Sequence, residues 1–234
     1  MSTTFTTRIK NTARATAVAT MLGAAALGLS GTANADLYGN PEAAADYWQQ
    51  QELDNCVLMA TADMIGQLTG DQLSEFEITA VATVTPSVMH PGTIYVPPIG
   101  SLGDPNQGMG TDPVDSLILL EHYDLSGTVA GDIAEDIDQD FVSETGMDAL
   151  ADYLADGHKV MAIVNGQLIW GVDEGPFDTA NHALVVTGID TDEGIVHIND
   201  SGNPDGADWQ VDIETFEEAW ATSGQSLVIT DQTS

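Results

Sequence analysis

The stretch that decides the fold is NHALVVTGIDTDEGIVHIND, residues 181–200. It holds two runs rich in Val and Ile, 183–189 and 195–199, and the polar residues 190–194 stand between them. Runs of β-branched residues on either side of a short polar turn are typical of antiparallel strands joined in a hairpin. The sequence therefore predicts a β-hairpin whose two open ends carry polar side chains.

The register of this hairpin decides which of those polar side chains meet. A symmetric turn would place Ile189 opposite Ile195, and counting on from that pair puts His182 and Asp200 on one face of the sheet. They would be diagonal neighbours with Cβ atoms about 7–8 Å apart, within reach of long side chains. A slip of one residue would bring Asn199 to that face instead. The pattern favours Asp200 and leaves Asn199 open.

The segments around the hairpin predict an α+β fold. Apolar residues at helical spacing run from Cys56 to a stop at Gly70. Further helices are predicted over 115–122, 145–156 and 213–221, and further strands over 123–129, 159–164 and 227–230. The Pro- and Gly-rich stretch 84–112 predicts a long loop of the kind that forms one wall of a cleft. Helices that come early and antiparallel strands that come late are typical of the α+β class.

The first 35 residues have the pattern of a secretory signal. Three basic residues precede an apolar run over 15–29, and Ala33-Asn34-Ala35 matches an A-x-A cleavage site. We therefore predict a signal peptide over 1–35, cleavage after Ala35, and a secreted single domain over 36–234. No later segment is long and apolar enough to span a bilayer, so we expect no stable membrane insertion.

The charge of the predicted mature chain is extreme. All 37 acidic residues follow residue 35, whereas Lys159 is the one Lys or Arg there, so the formal charge is 1 − 37 = −36. Such a field excludes nucleic acid and anionic membrane surfaces as partners. It suits a cationic substrate, or it serves solubility alone. The sequence does not predict an oligomeric state.

Cys56 is the only cysteine in the chain, so no intrachain disulfide can form. A lone thiol is either buried and inert or chemically used. Asp54 or Asn55 can cap the helix that follows, which puts Cys56 in the first turn, where the helix dipole stabilises a thiolate. His182, at the start of a rigid strand, is the candidate base for such a nucleophile.

An acyl-transfer site also needs donors for the oxyanion that develops on the attacked carbonyl. The backbone N–H of Cys56 is one candidate, and the adjacent Gln49, Gln50 and Gln51 offer side-chain amides shortly upstream. The residues alone do not choose among these three glutamines.

Together these features resemble the papain-like cysteine peptidases. The matching segments are Gln50 six positions before Cys56, the apolar helix after it, NHALVVTG at 181–188 and VHINDSG at 196–202. The nearer likeness is to the bacteriocin-processing, double-glycine-leader peptidases and their secreted relatives. This likeness implies a papain-like fold in which an N-terminal helix carrying the Cys packs on a C-terminal antiparallel sheet carrying the His and Asp. It also implies site roles for Gln50 (oxyanion donor), Cys56 (nucleophile), His182 (base) and Asp200 (orientation of the base).

The expected function is that of a secreted cysteine peptidase that cleaves peptide or amide bonds through a thioester and needs no cofactor. The alternatives are an amide-processing acyltransferase on the same fold and a non-catalytic secreted binding module. Two acidic stretches match calcium loops only loosely. We interpret Asp136 to Asp140 as a solvated loop, and Ser201 to Asp212 is flanked by a predicted strand and a predicted helix rather than by two helices. No His or Cys pair has zinc spacing, so no metal site is predicted.

Overall fold

The computed structural model describes residues 37–98, 108–134, 137 and 143–234. The predicted signal peptide with its cleavage site lies outside the described residues, as do Asp136, Asp138 and Asp140 of the first acidic stretch. The described residues belong to one compact unit.

The centre of the fold is an antiparallel sheet of seven strands. The strands are β1 Leu37–Gly39, β2 Gly127–Ala130, β3 His158–Val164, β4 His182–Asp190, β5 Ile195–Asn199, β6 Trp209–Asp212 and β7 Leu227–Thr233. Their order across the sheet is β2-β7-β3-β4-β5-β6, and the short β1 also pairs with β4. All pairings are antiparallel. The predicted α+β class is confirmed.

Helices cover both faces of this sheet. They are α1 Pro41–Ala44, α2 Cys56–Thr69, α3 Glu75–Ala82, α4 Ser116–His122, α5 Met147–Ala155, α6 Gly166–Ile169 and α7 Ile213–Ala221. Short 3-10 turns occupy Ala45–Tyr47, Pro113–Asp115 and Asp132–Ala134. None of the helices in the described ranges is long and apolar enough to cross a membrane.

Alternation along the strands divides the core into two apolar layers. Met161 and Ile163 of β3 face the layer formed with α2, α3 and α4. Val160 and Ala162 of the same strand face the layer formed with α5 and α7. A strand buried on both faces in this way reads as a continuous apolar run, which is the pattern of the β3 sequence. The helix that begins at Cys56 is therefore fixed against the middle of the sheet.

The hairpin register differs from the symmetric one near the turn and agrees with it farther along. Ile189 pairs with Val196 rather than with Ile195, because the turn has four residues and Asp190 already belongs to the strand. A register shift between Val186 and Gly188 then moves the pairing by one residue. A bulge of this kind places an extra residue in one strand. Beyond the bulge, at the end of the hairpin that carries the site, residues pair as the symmetric register predicts, so their side chains lie on the predicted faces of the sheet.

Other boundaries moved by a few residues, and some elements were missed. The predicted strand over 123–129 begins only at Gly127, because Asp124 takes a left-handed turn conformation with φ 59°. The sequence patterns do not predict β1, β6, α3 or α6. These are short elements whose pattern is weak without the partner they pack on.

Candidate active site

Cys56 is the first residue of α2, and its side chain is partly exposed. The chain just before it is held by two acidic side chains. Glu75 Oε1 accepts hydrogen bonds from the backbone N–H groups of Glu52 and Leu53, at 2.9 and 3.1 Å. Asp54 Oδ1 accepts one from the hydroxyl of Tyr95 at 2.6 Å. The thiol therefore stands at a helix N-terminus whose approach loop is rigidly held.

His182 opens β4 and lies between the thiol and a buried carboxylate. Its Nε2 is 2.7 Å from Oδ1 of Asp200, the residue directly after β5. The same imidazole is hydrogen-bonded to Cys56, which leaves Nδ1 as the ring nitrogen on that side. His182 is 5% exposed and Asp200 is fully buried. The geometry brings together three side chains that are far apart in sequence.

The carboxylate of Asp200 is held by three donors. Oδ1 accepts from His182 and from the backbone N–H of Gly202 at 2.8 Å, and Oδ2 accepts from the indole Nε1–H of Trp170 at 2.8 Å. A second indole, that of Trp48, donates to the backbone carbonyl of Asp200 at 2.8 Å. Residues this well held keep one orientation, which is what a group that aligns an imidazole requires.

Trp170 was missed by the sequence analysis, and it has two contacts in the site. Besides its bond to Asp200, its ring system packs on the imidazole of His182 with centroids 5.0 Å apart. A Cβ at Gly202 would lie 3.0 Å from Trp170 and 3.1 Å from His182, so any larger residue there would press on both rings. No local signal marked Trp170, because its contacts with Asp200 and His182 cross between separate elements.

Asn199 points to the opposite side of the sheet from His182. Its amide donates to the Ala44 carbonyl and to Asp63 Oδ2, both at 2.8 Å, and its Oδ1 accepts from the backbone N–H of Asp208 at 3.0 Å. These bonds use the whole amide in holding α1, α2 and the turn before β6 to the end of β5. The structure therefore places Asp200, rather than Asn199, beside the imidazole.

The three adjacent glutamines have different surroundings. Gln49 donates to the carbonyl of Leu73, and Gln51 donates to the carbonyl of Leu53 while accepting from the hydroxyl of Ser201. Gln50 is exposed, and its side chain makes no hydrogen bond to any residue in the described part of the chain. Its amide alone among the three is uncommitted.

The electrostatics of the site favour an ion pair. Burial by itself lowers the pKa of His182, but the hydrogen bonds to Asp200 and Cys56 raise it to about 10. Burial likewise raises the pKa of the Cys56 thiol, but the hydrogen bond and charge of His182 outweigh it and lower that pKa. For Asp200, burial is outweighed by the same imidazole, and its pKa falls. These directions favour a thiolate and an imidazolium beside a carboxylate.

A cleft of about 200 Å³ opens over Cys56 and His182. Its other lining residues are Val57, Met109, Gly110, Thr111, Pro113, Ile163, Ala180, Asn181 and Ala183. Residues 109–111 belong to the Pro- and Gly-rich stretch that was predicted to form a cleft wall. No group of three His, Cys, Asp or Glu suited to a metal ion occurs within the described ranges.

Comparison with known proteins identifies the family of this chain. The model of the Peptidase_C39 like family matches residues 42–228, which include all three members of the Cys–His–Asp arrangement. The chain belongs to the Peptidase_C39 like family. The resemblance to papain-like peptidases of the bacteriocin-processing branch is thereby confirmed.

Relatives of this C39-like protein include uncharacterized proteins of Mycobacterium bovis and Mycobacterium tuberculosis. Each is 45% identical over 237 aligned residues, covering 96% of this chain and 99% of the relative. Among solved structures, a putative C39-like peptidase from Bacillus anthracis matches with a TM-score of 0.56 and 17% identity, covering 85% of this chain and 99% of that one. That match supports the papain-like fold.

A second solved structure is more distant from this C39-like protein. It is a double glycine motif protease from an AMS/PCAT transporter in complex with its leader peptide, with a TM-score of 0.45 and 12% identity over 79% of this chain and 89% of that one.

Proposed function

We propose that this C39-like protein is a secreted cysteine peptidase that cleaves peptide bonds through Cys56, His182 and Asp200. The observation that carries the proposal is the imidazole of His182, which joins the thiol on one side to the buried carboxylate of Asp200 on the other at 2.7 Å. A nucleophile, its base and the group that orients the base are the parts that acyl transfer requires.

Acylation begins from the ion pair. The Cys56 thiolate attacks the carbonyl carbon of the scissile bond, and the carbonyl oxygen becomes an oxyanion. As the C–N bond breaks, the imidazolium of His182 gives a proton to the leaving amine, and a thioester remains on Cys56. Asp200 keeps its charge throughout and holds the ring so that Nδ1 faces the sulfur.

Deacylation uses the same groups in reverse. Neutral His182 takes a proton from water, the resulting hydroxide attacks the thioester, and the sulfur leaves as the thiolate of Cys56. In both steps the oxyanion accepts hydrogen bonds from the backbone N–H of Cys56 and from the side-chain amide of Gln50. Gln50 suits this role because the amides of Gln49 and Gln51 already serve internal bonds.

The loop that leads to His182 favours a cationic peptide as substrate. Residues 171–179 are exposed and carry Asp173, Glu174 and Asp178 with no basic residue. The loop is firmly held, because the buried Asn165 donates to the carbonyls of Pro176 and Thr179 at 2.7 Å. These acidic residues, fixed in the chain segment just before His182, raise the local concentration of Lys- or Arg-rich peptides.

Chemical labelling tests the nucleophile. An electrophilic peptide such as a peptidyl chloromethyl ketone should alkylate Cys56, with the adduct mapped by mass spectrometry. Cys56→Ala should lose both labelling and turnover of a quenched peptide library while keeping its circular dichroism spectrum. Turnover retained in Cys56→Ala would refute the proposal.

Substrate charge has its own test. Converting the loop acids to their amides (D173N, E174Q, D178N) should raise KM for a Lys-rich peptide and leave kcat unchanged. The matched control changes three acids of the distant β4–β5 turn (D190N, D192N, E193Q), which should alter KM much less. Equal effects of the two triple variants would show that only net charge matters.

A further inference from the structure

Lys159 is the only Lys or Arg after residue 14, and it lies in a partly buried position near the start of β3. Its ammonium makes no ion pair within 4.0 Å and no hydrogen bond to a residue in the described ranges. An ammonium group has three donors, and leaving them unmet in a partly buried place is unfavourable. Although the chain has 37 acidic residues, the Lys159 ammonium can donate hydrogen bonds to an acceptor that is not part of the protein.

The cation borders a pocket where the sheet has a notch. Along one edge, β4 pairs with β3 up to Val186 and with β1 from Gly188 onward, so Thr187 stands where one partner strand gives way to the other. Here lies a pocket of about 350 Å³. It is lined by Leu37, Tyr38, Gly39, Asn40, Gln67, Leu154, Ala155, Gly157, His158, Lys159, Val186, Thr187 and Ser234. Its volume is near the lower end of the range for small-molecule sites, about 300–1,000 Å³.

Unmet polar groups in the pocket wall point to a ligand. Thr187 is 4% exposed, and its buried hydroxyl has no hydrogen-bond partner among the described residues. Asn40 and Gln67 add side-chain amides to the wall, whereas Leu37 and Leu154 add aliphatic surface. The wall therefore offers a ligand both polar groups and aliphatic surface.

Asp63 lies close enough to influence Lys159, but it does not neutralise it. Its two oxygens accept from Gln67 at 2.6 Å and from Asn199 at 2.8 Å, so both are occupied by neutral amides. Burial raises the pKa of Asp63 to about 7 despite these bonds and the charge of Lys159. No carboxylate of the described residues lies within ion-pair distance of the Lys159 ammonium.

We propose that this notch binds a small aliphatic monocarboxylate, with the carboxylate on the Lys159 ammonium and the hydrocarbon tail against Leu37 and Leu154. A single cation matches a single negative charge, and the acidic chain as a whole repels a dianion more strongly than a monoanion. The notch is separate from the peptidase site. His182 and Thr187 are five residues apart on β4, which corresponds to roughly 17 Å along a strand.

Calorimetric titration with octanoate tests the proposal, with octylamine as a probe that has the same tail and the opposite charge. Octanoate should bind with one-to-one stoichiometry and octylamine should not bind. Lys159→Gln should weaken octanoate about ten- to hundredfold, as expected for loss of a charged hydrogen bond, and Lys159→Arg should retain most of the affinity. Cys56→Ala should bind octanoate like the wild type, which separates this site from the proposed peptidase activity.

A second measurement covers the case in which Lys159→Gln fails to fold. Reductive methylation of wild-type protein, mapped by mass spectrometry, should modify Lys159 more slowly when octanoate is present. Three results would overturn the proposal: no saturable binding of octanoate at millimolar concentration, equal binding of octylamine, or no protection of Lys159.

Discussion

Replacing Asp200 with Asn is the sharpest test of how the imidazole is held. In the wild type, Oδ1 accepts from His182 and Gly202, and Oδ2 accepts from Trp170. An amide can offer an oxygen on one side only. If the oxygen faces His182, the new NH₂ meets the indole N–H of Trp170. If the NH₂ faces His182, the ring must take the tautomer that carries its proton toward Cys56, and it cannot act as a base.

The magnitude follows from the lost charge. The bond from His182 to Asp200 is 2.7 Å long and fully buried at the carboxylate, and a hydrogen bond to a charged group contributes about 1.5–3 kcal/mol. Since about 1.4 kcal/mol is a factor of ten, kcat/KM should fall at least ten- to hundredfold. The imidazolium would also lose its anionic partner, so the pKa of the Cys56 thiol should rise toward its ordinary value.

The pH dependence of iodoacetamide alkylation reads this change directly, because Cys56 is the only thiol. The wild type should react at a rate that changes little around neutral pH, whereas Asp200→Asn should need alkaline pH. Asn199→Ala is the matched control: it should reduce stability and leave the alkylation profile unchanged. An unaltered profile in Asp200→Asn would refute the proposed role of Asp200.

A double-mutant cycle separates structure from chemistry. Adding Asp200→Asn to a Trp170→Phe background should cost less unfolding free energy than adding it to the wild type, because the opposing indole donor is already gone. The loss of kcat/KM should persist in the double variant. Equal stability costs in both backgrounds would mean that the amide does not face Trp170.

Three further predictions concern other residues. Gln50→Ala should lower kcat/KM about 100- to 1,000-fold, as loss of an oxyanion donor does, whereas Gln51→Ala should mainly lower stability; the reverse ranking would assign the oxyanion role to Gln51. Asp63 has a folded-state pKa of about 7, above its ordinary value of 3.8, so unfolding free energy should decrease as pH rises from about 4 to 7, and Asp63→Asn should flatten that slope in denaturant titrations. Tyr95→Phe removes the bond to Asp54 and should slow alkylation of Cys56 by loosening the loop before α2; an unchanged rate would show that Glu75 alone holds that loop.

The sequence by itself determined the fold class and the chain order of the site. The helical spacing of apolar residues from Cys56 to Gly70 is a local pattern, and so are the β-branched runs around a polar turn. Local patterns can be recognised in the sequence without knowing which elements they pack against. The helix ends at Thr69 with Gly70 as its left-handed cap, and the two hairpin strands cover the predicted runs. Parity along a strand was enough to favour Asp200 over Asn199.

The tertiary structure decided which contacts complete the site. The turn is one residue shorter than predicted, and the register shift near Thr187 restores the predicted pairing toward the site. Such a bulge depends on the packing of β4 against its neighbours. Trp170 reaches Asp200 across 30 residues of sequence, and Tyr95 reaches Asp54 across 41. The notch beside Lys159 exists only because β1 and β3 share one edge of β4. Contacts between separate elements depend on how the elements pack together, and no local pattern in the chain encodes that packing.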